Sequence, residues 1–181
     1  MSATLNTVKA RAQRRRRGLT LIEAAMVLVI LALVVGAVML YYQSANANRQ
    51  ISATAGQLAS VQQAVRAAYS GQADLSDLTN SAISKYLPSG MVKDDNTLRH
   101  AFNGDLSVAP GNGGSYFTVT LASVPSDACK RLATMDMGRA VLGLTIGGGV
   151  ATDTNPPPYT RILAESSCGT SGTKTMSWAF Q

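Results

Sequence analysis

The stretch that decides the fold is LTLIEAAMVLVILALVVGAVMLYY, residues 19–42. Apart from Thr20 and Glu23, every side chain in it is apolar or small. As an α-helix the stretch is roughly 36 Å long, because each residue adds about 1.5 Å, and a helix of that length crosses a bilayer. The sequence therefore predicts a transmembrane helix near the N-terminus.

Glu23 places a carboxylate inside this apolar stretch. A charge in such a segment costs several kcal/mol, so it is usually functional and usually has a partner. Cleavage after Gly18 would supply a partner, because the new α-amino group of Leu19 would lie about one turn away, and the amine of a neighbouring copy could approach equally well. The positive end of the helix dipole also favours a carboxylate in the first turn. The sequence therefore predicts that Glu23 has a positively charged partner.

Residues 1–18 contain no acidic side chain and six basic ones: Lys9, Arg11, Arg14, Arg15, Arg16 and Arg17. These six account for the whole net charge of +6, since subtracting them from 16 basic side chains leaves 10, equal to the 10 acidic ones. The remaining chain therefore has no basic excess that would indicate nucleic-acid binding. By the positive-inside rule, the basic leader stays in the cytoplasm and the C-terminal part is exported.

The run Gly18-Leu19-Thr20-Leu21-Ile22-Glu23, behind its basic leader, resembles the class III signal of a type IV prepilin. The resemblance continues over residues 19–46, which are similar to the start of the bundle-forming pilins of the type IVb group. A long leader and Leu19 as the first mature residue also fit that group, whereas type IVa pilins usually begin with Phe. Beyond about residue 69 the resemblance covers only an αβ head with two cysteines.

This resemblance implies an α+β fold in which a long N-terminal α-helix packs on an antiparallel β-sheet head. It implies that a prepilin peptidase cuts between Gly18 and Leu19 and N-methylates Leu19. Inner-membrane assembly machinery would then lift identical subunits into a helical homopolymer, with Glu23 paired to the Leu19 ammonium of an adjacent copy. The expected location is the bacterial inner membrane as precursor and then the extracellular pilus on the cell surface.

An ordinary secretory signal is the main alternative for the N-terminus, because it also has a basic region followed by an apolar one. Ala45-Asn46-Ala47 supplies a matching A-x-A cleavage pattern. Against it, the apolar run exceeds the usual length of about 7–15 residues, and Glu23 is unusual in a disposable signal. Cleavage after Ala47 would release a soluble secreted domain; a permanent single-span anchor is a further alternative.

Residues 43–70 are predicted to continue the helix as an amphipathic segment, because apolar side chains recur at spacings of three and four. They are Ile51, Ala55, Leu58, Val61, Val65 and Ala68. Ser70-Gly71 is a plausible stop. The alternative is two helices broken near residues 44–48.

Residues 71–181 are predicted to form one α+β head. A loop is expected over 71–102 with a helical piece at 76–87, and an exposed loop over 147–158. A helix is predicted to start at Pro125-Ser126-Asp127 and to run to about Met137. Strands are predicted at 105–108, 116–121, 141–146 and 173–180, with a turn at 110–114.

Cys129 and Cys168 are the two cysteines of the chain. In an oxidising compartment they most simply form one disulfide. The resemblance to type IV pilins implies the same disulfide, which would bound a C-terminal region, residues 129–168. A catalytic thiol is the alternative, but neither cysteine has a C-x-x-C partner. The sole histidine, His100, stands in a polar stretch without metal-ligand spacing.

Sequence motifs for phosphate loops, zinc proteases and serine hydrolases are absent from the chain. We therefore expect no enzymatic activity, no cofactor and no metal. The function predicted first is the major structural subunit of a type IVb pilus, used for adhesion, aggregation or cell contact. A minor pilin or a type II secretion pseudopilin is the alternative, and a soluble secreted domain is a remote one.

Overall fold

The computed structural model describes residues 20–72, 74–94, 97–149 and 156–181. These residues belong to two compact units, divided between Gln43 and Ser44. Gly18 and Leu19, the predicted cleavage site, lie outside the described residues.

Helix α1 runs without interruption from Leu21 to Ala68. Thr20 begins it, since its carbonyl oxygen accepts a hydrogen bond of 3.0 Å from the N–H of Ala24. After Ala68 the chain turns through Gly71, whose φ of 81° favours glycine. The prediction of one long helix is confirmed, and the alternative of a break near residues 44–48 is wrong.

In the first unit, α1 exposes its apolar side chains on all sides. The mean hydropathy of its most apolar 18-residue window is 2.8, and none of that window is buried. Among the described residues, α1 is the one helix that is long and apolar enough to cross a membrane. An all-round apolar helix requires either lipid or other protein around it.

In the second unit, one face of α1 is buried in the core. Its buried residues are Ile51, Thr54, Leu58, Val61, Ala64 and Val65. Ala55 and Ala68, which the periodicity places on this face, are only half-buried. Thr54 is fully buried because its hydroxyl donates to the carbonyl oxygen of Gln50 at 2.8 Å, which satisfies the polar atom within the helix.

The described part of the second unit contains three further α-helices and six strands. The helices are α2 (Asn80–Ser84), α3 (Ser126–Ala133) and α4 (Arg161–Cys168). The strands are β1 (Val92–Asp94), β2 (Thr97–Arg99), β3 (Asp105–Gly111), β4 (Tyr116–Pro125), β5 (Val141–Ile146) and β6 (Thr173–Phe180). Short 3-10 turns lie at Ser89–Met91 and Asn112–Gly114.

The strands form one antiparallel sheet in the order β1-β2-β3-β4-β6-β5. Strand β6 lies between β4 and β5, so Trp178 is paired with Val119 on one side and Leu144 on the other. All three side chains are buried in the same core as the apolar face of α1. The predicted α+β architecture, a long N-terminal helix packed on an antiparallel sheet, is confirmed.

Helix α3 ends at Ala133, four residues before the predicted end at Met137. The hydroxyl of Thr134 donates to the carbonyl oxygens of Lys130 and Arg131, at 3.0 and 3.1 Å. The carboxylate of Asp136 then accepts the N–H of Gly138 at 2.8 Å. Both side chains thus form hydrogen bonds with the backbone. Such bonds compete with the backbone–backbone hydrogen bonds of a further helical turn.

The segment between α1 and β3 differs from the predicted loop. The helix expected over 76–87 is limited to the five residues of α2, whose first turn is capped by the hydroxyl of Thr79. Strands β1 and β2 were not predicted, because three residues are too short to show a period of two. Strands β3 and β4 also extend further than predicted, so the turn between them shortens to residues 112–115.

Helix α4 is absent from the elements predicted above. Its first turn is capped by Thr160, whose hydroxyl accepts the N–H of Leu163 at 3.4 Å, and Gly169 follows its end with a φ of 72°. A threonine cap and a terminal glycine, with the eight residues of the helix between them, were the available signals. The described residues of the predicted 147–158 loop, 147–149 and 156–158, lie outside helices and strands, as expected.

Candidate functional site

Glu23 lies in the first turn of α1 and is exposed. Its backbone N–H donates to the hydroxyl of Thr20 at 3.3 Å, so Thr20 caps the helix immediately before the carboxylate. The positive end of the helix dipole is therefore next to Glu23. Gly18 and Leu19 precede it outside the described residues, which leaves their predicted roles as proposals.

A disulfide joins Cys129 on α3 to Cys168 on α4, with the two Cα atoms 5.8 Å apart. Both cysteines are fully buried. Leu132 and Ala164, one turn along each helix, are buried in the same cluster. The bond therefore fixes two helices of the head to each other at the core. Among the described residues, no group of His, Cys, Asp and Glu side chains could hold a metal ion.

A groove of about 810 Å³ lies between the start of the second unit's α1 segment, α3 and α4. Its apolar lining includes Ile51, Phe102 and Ala128. Its charged lining consists of Asp127, Lys130, Arg131, Arg161 and Glu165.

Two ion pairs lie at the groove. Lys130 is 3.6 Å from Asp127, and Arg161 is 3.1 Å from Glu165. Both pairs include well-exposed side chains, so each contributes little to stability. Arg131 instead donates a short hydrogen bond to the side-chain oxygen of Asn48 on α1.

His100 is buried, although it stands in a polar stretch of sequence. Its Nε2 atom is 2.7 Å from the carbonyl oxygen of Ala122, and its Nδ1 atom accepts the N–H of Phe102 at 3.2 Å. These partners require the neutral ring with its proton on Nε2. Burial lowers the pKa of His100, and the hydrogen bond to Ala122 and the charge of Asp105 offset this only in part.

We expect the head to lose stability as the pH falls from 7.5 to 5.5. Because the pKa of His100 is lowered in the folded state, the unfolded chain takes up the proton first, at its ordinary pKa of about 6.5. Stability is therefore highest above that pH and declines below it, by up to about 1 kcal/mol. Urea unfolding of the head at several pH values measures this, and a His100→Gln variant should lose the dependence. An unchanged slope in that variant would assign the effect to other groups.

Gly104 lies against the His100 ring, and substitution there is expected to be costly. A Cβ atom at position 104 would overlap the carbonyl oxygen of Ala122 and the His100 ring, with Cε1 only 2.9 Å away. The clash with backbone cannot be relieved by a side-chain rotation, so Gly104→Ala should destabilise the head by about 3 kcal/mol. Gly90→Ala is the matched control, since nothing lies within 4 Å of its Cβ position. Thermal melts that give equal midpoints for the two variants would contradict the packing described here.

The groove and the His100 network are the features of this site that the sequence did not predict. One signal for His100 was available: Leu98 and His100 are two residues apart, so they face the same side of an extended segment, and both are buried. No sequence signal marks the groove, because its lining comes from α1, α3, α4 and the turn at Phe102.

Comparison with known proteins bears on both units of the chain. Residues 13–39 match the family model described as the prokaryotic N-terminal methylation motif, and residues 48–181 match the one described as PilS N terminal. The chain is 30% identical, over 148 residues, to the major structural subunit of the bundle-forming pilus of Escherichia coli O111:H-. That alignment covers 79% of this chain and 76% of the relative. The chain belongs to the type IVb pilins.

A second relative of this type IVb pilin is the major structural subunit of the bundle-forming pilus of Escherichia coli O127:H6 (strain E2348/69 / EPEC), 32% identical over 136 residues. That alignment covers 72% of this chain and 70% of the relative. A crystal structure of the type IVb pilin from Salmonella typhi is 25% identical, has a TM-score of 0.47, and is matched over 76% of this chain and 96% of that one.

Family membership confirms the resemblance inferred from the N-terminal motif and makes this pilin a structural subunit, not an enzyme. As a pilus subunit it polymerises with copies of itself, and the methylation motif marks it for a prepilin peptidase. The hydrophobic N-terminal helix and the surface filament follow from the same membership.

Proposed function

We propose that this pilin is the major structural subunit of its pilus and polymerises through α1 into an extracellular filament for adhesion, aggregation or cell contact. The observation that carries the proposal is the first unit, a helix whose apolar side chains are exposed on every side. Such a surface needs lipid in the precursor and neighbouring copies of the helix in a filament. The two bundle-forming relatives, each a major subunit, support the bulk role.

Processing is proposed to occur between Gly18 and Leu19, with N-methylation of Leu19 by the prepilin peptidase. The precursor would lie in the inner membrane with residues 1–18 in the cytoplasm, because those residues hold all of the net positive charge. Inner-membrane assembly machinery would then move the processed subunit into the growing pilus.

Glu23 is proposed to set the axial position of each new subunit. Its carboxylate, in the first turn of α1, would pair with the α-ammonium of Leu19 on an adjacent copy. An unpaired charge in the apolar helix bundle is costly, whereas a paired one is tolerated. Only the register that brings the two groups together would therefore be stable.

Mass spectrometry of the protein from a peptidase-competent host tests this proposal. A chain that begins at methylated Leu19 and gains about 2 Da on reduction is expected, since reduction of one disulfide adds two hydrogen atoms. A chain that begins at Asn48 would instead identify a secreted soluble domain. Abundance in the sheared surface fraction separates the bulk subunit from a minor pilin or a type II secretion pseudopilin, because only the former should dominate that fraction.

A further inference from the structure

A second, smaller pocket lies in the head between α1 and the turn that follows α3. Its volume is about 230 Å³. The lining includes Ala55, Leu58 and Ala59 of α1 on one side and Met135, Asp136 and Met137 of the turn on the other. The small alanine side chains leave room at α1, and flexible methionine side chains adapt to an apolar group that enters. The pocket therefore suits an aliphatic side chain.

Asp136 is the one charged residue in the pocket lining as described. Its carboxylate accepts the N–H of Gly138 at 2.8 Å, which fixes its position, and its side chain is exposed. Among the described residues, no cation forms an ion pair with it. The negative charge is therefore available to a cation on another molecule.

An exposed aliphatic side chain lies elsewhere on the head, in the first turn of α4. Ile162 is 81% exposed, the highest value for a large apolar residue of the second unit as described. Tyr86 is 54% exposed, but its hydroxyl gains from contact with water. The side chain of Ile162 has no polar atom, so its exposure is unfavourable throughout. Arg161, directly before it, is also exposed and places a cation beside it.

The pocket and Ile162 belong to different surfaces of the head, since no residue of α4 is in the pocket lining as described. An exposed apolar side chain and a complementary pocket elsewhere on the same molecule join copies head to tail. Such a contact does not close on a pair of molecules and can propagate into an open helical filament. This is the kind of assembly that a pilus subunit forms, so the occupant that fits the pocket is a second copy of the chain.

We propose that Ile162 of one copy inserts into this pocket on a neighbouring copy in the filament, where Arg161 faces the neighbour's Asp136. The volume is sufficient: the pocket has room for roughly seven groups of water size, at about 30 Å³ each, and an isoleucine side chain has four carbon atoms. The isoleucine supplies the affinity and the ion pair fixes the orientation. The contact rests on the proposed function, because polymerisation through α1 brings the heads together.

Both halves of the contact are held in place before they meet. Helix α4 is capped by Thr160 at its start and is joined to α3 through Cys168 at its end. The turn that carries the methionines is fixed by the hydrogen bonds of Thr134 and Asp136. Little conformational freedom is therefore lost when the two surfaces bind.

Cysteine cross-linking within filaments tests the contact. Sheared filaments of the Ile162→Cys/Ala59→Cys variant would be oxidised and separated on a non-reducing gel. Because a head-to-tail contact links each copy to two neighbours, a ladder of dimers, trimers and longer chains is expected. Each single variant should stay monomeric, since the natural Cys129 and Cys168 are bonded to each other and fully buried.

The matched control is the Ile162→Cys/Ala67→Cys variant. Ala67 is an exposed alanine of the same helix, outside the pocket lining and about 12 Å beyond Ala59 at 1.5 Å per residue. A disulfide requires Cα atoms within about 7 Å of each other, so this variant should give no ladder.

Filament yield gives a second test. Ile162→Ala should lower the equilibrium for adding a subunit about ten-fold or more, because the burial of a large aliphatic side chain is lost. The amount of pilin in sheared fractions should fall accordingly, whereas the thermal melt of the head should not change, since the side chain is exposed in the single subunit. Tyr86→Ala is the matched control and should leave the yield unchanged.

A double-mutant cycle tests the ion pair. Arg161→Gln and Asp136→Asn should each lower the equilibrium for adding a subunit by up to about five-fold. The two together should lower it no further than one alone, because both remove the same interaction. Strictly additive losses would overturn the pairing of Arg161 with the neighbour's Asp136.

Four further outcomes would overturn the contact. A cross-link that stops at the dimer would show that two copies meet through an isologous surface. Equal cross-linking at positions 59 and 67, or equal loss of filaments from Ile162→Ala and Tyr86→Ala, would remove its specificity. Normal filaments without a ladder would overturn this contact alone and leave polymerisation through α1 intact. A natural chain that forms no filaments would overturn the proposed function together with the contact.

Discussion

Glu23→Val is expected to leave cleavage between Gly18 and Leu19 intact and to remove most of the pilus from the cell surface. The variant keeps the apolar character of α1 but leaves the Leu19 ammonium of an adjacent copy without a partner in the filament core. Breaking a buried ion pair in this way costs about 3–5 kcal/mol, which lowers the equilibrium for adding a subunit by about a hundred-fold or more. The measurement is the amount of pilin in sheared surface fractions relative to the membrane.

Glu165→Val is the matched control for this experiment. It makes the same chemical change in the head, where the carboxylate is exposed and forms an ion pair with the exposed Arg161, so pilus yield should stay near normal. A normal yield from Glu23→Val would contradict the pairing. An uncleaved Glu23→Val chain would show that the carboxylate acts in recognition by the peptidase and not in assembly.

Removing the disulfide is expected to produce the largest loss of stability in the head. The bond closes a loop between residues 39 positions apart, and the chain-entropy model assigns about 4 kcal/mol to a loop of that length. The Cys129→Ala and Cys168→Ala double variant should therefore unfold at a midpoint roughly 15 °C lower. Urea unfolding and thermal melts of the oxidised protein and the double variant measure the two quantities.

Reduction gives an internal check on the disulfide prediction. A reducing agent should lower the stability of the natural protein by a similar amount and should not affect the double variant, which has no cysteine and therefore no disulfide to reduce. A loss smaller than about 1 kcal/mol would mean that the packing of α3 on α4 holds the helices together without the bond.

The sequence predicted those elements whose signal is local and well bounded. Strand β5 and strand β6 have the predicted bounds, because glycines precede or follow each apolar run. The continuous α1 was predicted from two different patterns, an all-apolar segment and then a stripe at helical spacing. The methylation motif identified the family because it combines a basic leader, Gly18 and Glu23 in one short segment.

Features that depend on distant contacts were not predicted. Strand β6 lies between β4 and β5 in the sheet. This order depends on the packing of distant segments and not on any local sequence pattern. The burial of His100 depends on the carbonyl of Ala122, which is 22 residues away. The lining of the groove requires α3 and α4 to lie next to α1, which no spacing of residues along one helix can indicate.

The internal place of β6 has a consequence for how the pilin is made. Synthesis proceeds from β1 to β6, and β6 is therefore the last strand to be made. Both β5 and one side of β4 pair with β6. Until translation passes residue 180, both strands present open hydrogen-bonding edges, which are templates for aggregation. A chain whose synthesis ends between β5 and β6 therefore lacks the strand that joins β4 to β5, and its sheet stays incomplete. Such a product exposes the side of β4 that β6 covers in the finished sheet, so this side of β4 distinguishes interrupted subunits from finished ones.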